Sequence, residues 1–197
     1  MAALIPLALF VIASTLSPGG ATTLATASGA RFGLARSWPL IMGVACALML
    51  IAALAAVGLG ELVAQRPALE WAVKLIGSGY LLWLAWRIAR SGAPASSTEV
   101  AHPLGMFKAM LLLISNPKSW AMTVSAAAAF AHLADSPVRR AALLGVSFGV
   151  AALISLSLWC SLGVVLGRML RTAAHWRGFN LLMAALLVVS IVPSWVG

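Results

Sequence analysis

The sequence predicts an all-α integral membrane protein of six transmembrane helices, arranged as two inverted three-helix repeats whose first and fourth helices are broken mid-membrane. Composition is the first indication: of 197 residues, 62% are hydrophobic and only 9% are charged, and the mean hydropathy is +1.04. A soluble domain of this length could not bury so much apolar surface. The other two indications are six long apolar segments and the prolines that interrupt two of them.

Each apolar segment is long enough to cross the hydrocarbon core, which takes about 20 residues at 1.5 Å of helical rise per residue. The segments cover residues 3–28, 38–63, 69–86, 104–132, 138–166 and 176–195, and the first and fourth contain Pro18 and Pro117. No positively charged region precedes the first segment. We therefore expect it to remain as a spanning helix and not to be a cleaved signal peptide.

The longest connection, residues 91–103, is rich in Ser, Ala and Pro and is predicted to be a flexible cytoplasmic linker. It separates a first repeat, residues 1–90, from a second repeat, residues 104–197. Basic residues mark the cytoplasmic side of a membrane protein, and the six spans place more of them on the linker side, so both termini are predicted to lie outside. The linker-side residues are Arg31, Arg36, Arg87, Arg90, Lys108, Arg168, Arg171 and Arg177, and the opposite residues are Arg66, Lys74, Arg139 and Arg140.

The net charge of +9 does not indicate a nucleic-acid partner, because the basic residues are dispersed and form no patch interleaved with aromatic residues. They fit topology signals and contacts with anionic membrane lipid better. Cys46 and Cys160 are single residues in apolar spans, without the spacing of a metal or redox site. The sequence has no phosphate-binding loop, nucleophile elbow or metalloprotease pair. Neither an enzyme nor a metal or other cofactor is predicted.

The two proline interruptions superpose when the first half of the chain is displaced by 99 residues. Residues 17–19 (Ser-Pro-Gly) then fall on residues 116–118 (Asn-Pro-Lys), and Gly79 falls on Gly178. Because each half has an odd number of spans, the second copy crosses the membrane in the opposite sense. Interrupted helices in matching halves indicate a transporter binding site at the midplane between them.

The predicted substrate site consists of the residues at the two interruptions. Proline removes a helical hydrogen bond, and the following glycines permit an unwound backbone whose freed groups can face a ligand. A helix that resumes after the interruption presents a positive dipole end, which suits a carboxylate. A plain proline kink with hydrogen bonds between helices is the alternative. The candidates are Ser17, Pro18, Gly19, Gly20, Thr22, Asn116, Pro117, Lys118 and Trp120.

Three of these candidates have alternative roles. Lys118 is an ionisable residue deep in an apolar span, where it could bind a substrate carboxylate or exchange a proton. Alternatively, it clamps freed carbonyls across the repeat. Asn116 is expected to cap the resumed helix, with contact to the substrate as the alternative. Trp120 either shapes the cavity or packs between helices.

Small residues on one face of the fifth span predict close helix approach. Ala141, Gly145 and Gly149 share this face, and Gly163 and Gly167 follow near its end. The pattern is compatible with packing inside one chain or between subunits, so a homodimer is left open. Asp135 is expected to be a solvated charge at the outer interface, with pairing to Arg139 or a role as an outer proton acceptor as the alternatives.

The motifs resemble those of the lysine-exporter superfamily, more narrowly its homoserine/threonine-resistance (LysE/RhtB) type, over nearly the whole chain. The Asn-Pro-Lys of residues 116–118 is the most specific of them. The others are Ser-Pro-Gly at residues 17–19, Arg-Phe-Gly at 31–33, Gly-Tyr-Leu-Leu-Trp-Leu at 79–84 before Arg87, and Arg-Gly at 177–178.

The resemblance implies a multi-pass protein of the bacterial inner (plasma) membrane that exports amino acids or related small metabolites, with export coupled to protons. It also implies site roles for Pro18, Gly19 and residues 116–118. Where members of the family commonly have a second proline and then an acid, this sequence has Gly20 and Ala21. A cationic amino acid would need such an acid, so a neutral substrate is favoured. The alternatives are an exporter of a metal cation or toxic compound, and a membrane subunit that transports nothing.

Overall fold

The computed structural model describes residues 4–58, 67–90, 102–134, 136–189 and 191–192. Within these ranges all regular structure is helical, and it comprises seven α-helices and one 3₁₀ turn. Residues 91–101 of the predicted linker and Asp135 lie outside them, so the linker, the boundaries of the two repeats and the role of Asp135 stay predictions. The helices are α1 (Leu4–Leu16), α2 (Gly20–Ala56), α3 (Pro67–Ala89), α4 (Met106–Ile114), α5 (Pro117–Ala129), α6 (Pro137–Met169) and α7 (Ala173–Val189), with the 3₁₀ turn at Ala131–Leu133.

Both predicted interruptions are present as gaps between helices. The first separates α1 from α2, and the second separates α4 from α5. Pro117 occupies the first turn of α5, where its missing N–H costs nothing and its fixed φ favours the helix. Pro137 has the same place at the start of α6. Proline therefore ends one helix and begins the next.

The connection expected between the first two spans is reduced to one residue. Residues 29–37 are helical apart from Gly33, which has φ 80° and ψ 169°, a region that residues with a Cβ rarely adopt. The chain folds back there: in a straight helix Ser28 and Ser37 would lie about 13 Å apart along the axis, yet their hydroxyl oxygens are 2.7 Å apart. Arg31 and Arg36 belong to the expected connection, and they lie on either side of this turn within helical segments.

The core forms where α2 packs along α6, so that an element of the first half meets one of the second half. Glycines allow the two backbones to approach closely. A Cβ on Gly29 would lie 2.0 Å from the Cys160 carbonyl oxygen, and one on Gly163 would lie 2.1 Å from the Thr26 carbonyl oxygen. A Cβ on Gly145 would likewise lie 3.1 Å from the Met49 carbonyl oxygen. The predicted close helix approach is confirmed, and these glycines make it inside one chain.

Large apolar side chains also remain on the outside of the fold. Ile5, Phe107 and Val138 are each at least 63% exposed, as expected of a lipid-facing surface. By length and composition, α2 and α6 are long and apolar enough to cross a membrane, and α1 and α7 are shorter apolar helices. The all-helical class is confirmed, whereas the arrangement as six spans in two inverted repeats stays a prediction.

We predict that Gly29→Ala destabilises the protein by about 1–3 kcal/mol, the usual cost of overpacking a well-packed core. The added Cβ would meet backbone atoms of α6, which cannot move aside without separating the helices. The measurement is thermal unfolding of the purified protein in detergent.

Gly178→Ala is the matched control, because nothing lies within 4 Å of a Cβ at that position and alanine favours a helix interior over glycine. Its unfolding temperature should equal or exceed that of the wild type. Equal unfolding temperatures for Gly29→Ala and the wild type would contradict the tight α2–α6 contact.

Candidate functional site

Side-chain hydroxyls satisfy much of the backbone at the first interruption. Pro18 has no N–H for the Ser14 carbonyl, and the Ser17 hydroxyl donates to that carbonyl instead, at 2.8 Å. The Gly19 N–H donates to the Thr22 hydroxyl oxygen at 2.8 Å, and the Thr22 hydroxyl donates to the Gly19 carbonyl at 2.9 Å. Thr22 thereby closes the amino-terminal turn of α2.

Helix α6 supplies two further donors to the same interruption. The Ser155 hydroxyl donates to the Thr15 carbonyl at 2.8 Å, and the Trp159 indole N–H donates to the Leu16 carbonyl at 3.2 Å. A continuous helix would satisfy these two carbonyls with the amides four residues later, which are the amides of the interruption itself. The carboxyl-terminal end of α1 is therefore completed by a helix of the second half.

The second interruption is satisfied from within its own segment. The Asn116 side-chain oxygen accepts the Lys118 backbone N–H at 3.0 Å, which confirms Asn116 as the cap of α5. That bond takes the amide that would otherwise serve the Ile114 carbonyl, and the Trp120 indole N–H donates to this carbonyl at 2.8 Å. Asn116 and Trp120 together preserve the gap that Pro117 creates.

The Lys118 side chain joins the two interruptions. Its ammonium donates to the Ser17 hydroxyl at 2.9 Å and to the Pro18 carbonyl at 3.2 Å. These acceptors follow the carboxyl-terminal end of α1, where the helix dipole favours a cation. An ammonium has three donors, so one N–H is left unclaimed by any residue that the structure describes. The clamp on a freed carbonyl of the first interruption, one of the two interpretations of Lys118, is present in the structure.

A cavity of about 50 Å³ lies between the two interruptions, with room for a few water molecules. The polar part of its lining includes Lys118, several hydroxyl-bearing residues and Asn116. The apolar part comes from α2, α4, α5 and α6. The lining residues are Ser14, Thr15, Ser17, Gly19, Gly20, Ala21, Thr22, Val44, Leu48, Leu113, Asn116, Lys118, Ser119, Met122, Ala152 and Leu156.

The structure brings most of the predicted site residues together around this cavity, while three of them do not line it. Pro18 contributes its carbonyl to Lys118. Pro117 begins α5. Trp120 packs against the core and holds the Ile114 carbonyl. The six that line the cavity are Ser17, Gly19, Gly20, Thr22, Asn116 and Lys118.

Sequence reasoning missed the contribution of α6. Ala152 and Leu156 line the cavity, whereas Ser155 and Trp159 hold the backbone of α1. A signal was available in the spacing, because Ser155 and Trp159 lie four residues apart and so share one face of the helix. The spacing does not identify the hydrogen-bond acceptors of these two side chains, since the acceptors lie more than 100 residues away in the chain.

Several proteins with similar sequences are known. The chain is 29% identical over 187 residues to a cysteine/O-acetylserine efflux protein of Klebsiella pneumoniae, an alignment covering 93% of this chain and 92% of the relative. It is 27% identical over 184 residues to an uncharacterized membrane protein of Vibrio cholerae, covering 91% and 90%. The cysteine/O-acetylserine efflux protein of Escherichia coli K12 is 23% identical over 183 residues, covering 93% and 92%. No solved structure matches the chain.

The sequence model of the LysE type translocators matches residues 12–190, a range that includes both interruptions, the turn at Gly33 and the donors from α6. This agrees with the resemblance read from the motifs and with a transporter, not an enzyme. The chain is a membrane protein that belongs to the family of LysE type translocators.

Proposed function

We propose that this protein exports small neutral amino acids, of the kind that cysteine and O-acetylserine represent, across the bacterial inner membrane. The observation that carries the proposal is the Lys118 ammonium, which lies at the edge of a hydroxyl-lined cavity with one donor unclaimed by the described residues. Two relatives named for cysteine/O-acetylserine efflux support the substrate class.

The substrate carboxylate would bind at the start of α2. The first amides of a helix have no partner within it and carry its positive dipole end, and Gly20 and Ala21 place two of them along the cavity. Lys118 adds a full positive charge beside them. An ionised carboxylate that accepts from an ammonium and from backbone amides makes the stronger, charge-assisted type of hydrogen bond.

The rest of the cavity suits a short, uncharged side chain. The substrate ammonium would find acceptors in the hydroxyls of Ser14 and Ser119 and in the Asn116 amide. Leu48 and Met122, which also line the cavity, would provide apolar contact. A second positive charge on the substrate would be repelled by Lys118, which favours neutral over cationic amino acids.

The transport cycle we propose uses the two halves as rocking units, with the termini on the periplasmic side. The interruptions meet where the halves meet, and alternating access in transporters built from inverted repeats moves one repeat against the other around a fixed site. A substrate carboxylate that competes for the Lys118 ammonium would weaken its bonds to Ser17 and Pro18. Binding would thereby loosen the contact between the halves, and the proton gradient would supply the energy for export.

Lys118→Gln should lower amino-acid export at least tenfold, because the neutral amide cannot offer the carboxylate a charge-assisted hydrogen bond. The measurement is L-cysteine efflux from dipeptide-loaded cells, normalised to the amount of protein in the membrane. Lys108→Gln is the matched control, since Lys108 is exposed on α4 and does not line the cavity. Wild-type efflux from Lys118→Gln cells would contradict the role given to Lys118.

Proton coupling has a separate test in proteoliposomes. Net L-cysteine efflux against its gradient should stop when a protonophore collapses the proton gradient. Exchange of labelled for unlabelled L-cysteine at equal concentrations should continue, because exchange needs no driving ion. Net efflux that persists with the protonophore would refute proton coupling and leave the substrate assignment intact.

A further inference from the structure

Helix α6 contacts the substrate cavity in two different ways. Ala152 and Leu156 line it, whereas Ser155 and Trp159 bond the backbone of α1 just before the first interruption. Ser155 is only 2% exposed. A buried serine within a helix commonly donates to the carbonyl four residues earlier, but Ser155 donates to another helix. This bond fixes α1 against α6.

We propose that Ser155 and Trp159 are positioning residues, which hold the carboxyl-terminal end of α1 in the shape that lets Lys118 and the start of α2 receive a substrate carboxylate. The inference rests on the proposed function and adds helix α6 to the start of α2 and Lys118 of α5 as a part of the site. Neither side chain is required to touch the substrate. Each acts through a backbone carbonyl of α1, Ser155 through that of Thr15 and Trp159 through that of Leu16.

Side-chain donors satisfy the carbonyls at and just after the end of α1. Four carbonyls there accept from side chains: Ser14 from Ser17, the next two from α6, and Pro18 from Lys118. A carbonyl that loses its donor must find another. The Lys118 ammonium already donates to Ser17 and Pro18 beyond the end of α1 and has one donor left. A carbonyl released by α6 would compete with the substrate for it.

The consequence concerns substrate affinity more than turnover. Loss of the Ser155 hydroxyl leaves the part-buried Thr15 carbonyl without its donor and lets the end of α1 rearrange. An unsatisfied buried acceptor costs about as much free energy as a tenfold change in a binding constant. The Lys118 side chain is still present in this variant, so transport at saturating substrate should persist.

The test is exchange of radiolabelled L-cysteine into proteoliposomes loaded with unlabelled L-cysteine, which needs no coupling ion. We expect Ser155→Ala to raise KM about tenfold while the maximal exchange rate stays within about twofold of wild type. Ser155→Thr keeps the hydroxyl and should restore a KM near the wild-type value. Ser161→Ala is the matched control, since Ser161 is exposed on the same helix.

A wild-type KM for Ser155→Ala, or an equal increase in Ser155→Ala and Ser155→Thr, would overturn the inference while the proposed function stands. Absence of exchange by the wild-type protein would overturn the proposed function itself. If Ser155→Ala does not fold, Trp159→Phe decides, because it removes one N–H and keeps an aromatic ring. It should raise KM, whereas Trp38→Phe on the exposed face of α2 should not. Equal KM values for these two variants would also overturn the inference.

Discussion

The structure depends on one constraint, which is that a helix interrupted inside an apolar protein must satisfy its freed backbone groups without water. Pro18 and Pro117 each remove one helical donor and open a gap. Each gap remains open because polar side chains donate hydrogen bonds to the carbonyls around it. Serine, threonine, asparagine, tryptophan and lysine all take part, and the cavity lies where these residues converge.

The two interruptions meet this constraint unequally. At the second, Asn116 and Trp120 come from the same segment, so that gap is local and can form with little help from the rest of the fold. The first needs Lys118 from α5 and two donors from α6. A gap that depends on other helices changes when those helices move. The first interruption therefore depends on contacts between the two halves of the chain, whereas the second does not.

Sequence reasoning succeeded where the cause is local. A proline followed by glycines, or preceded by asparagine, changes its own neighbourhood, so the positions of both gaps and the cap at Asn116 could be predicted. The turn at Gly33 was not predicted, because the apolar segments 3–28 and 38–63 left all of residues 29–37 as a connection, whereas a single residue with positive φ is enough to reverse the chain. The contacts of Ser155 and Trp159 with α1 could not be predicted, since they depend on how α6 packs against an element far away in sequence.

The offset of 99 residues gives these contacts a further meaning, because it superposes Gly19 on Lys118. A Cβ at Gly19 would lie 3.0 Å from the Lys118 ammonium nitrogen, so the glycine leaves the space that the lysine of the other half occupies. A lysine at both positions would place two like charges in one small cavity, with a mutual repulsion that is costly in a low-dielectric interior. A glycine at both would leave the Pro18 carbonyl without its present donor and the site without its cation. At this position the glycine of the first half leaves the space that the lysine of the second half fills. Under the proposed function, that difference leaves a single cation to bind the substrate carboxylate.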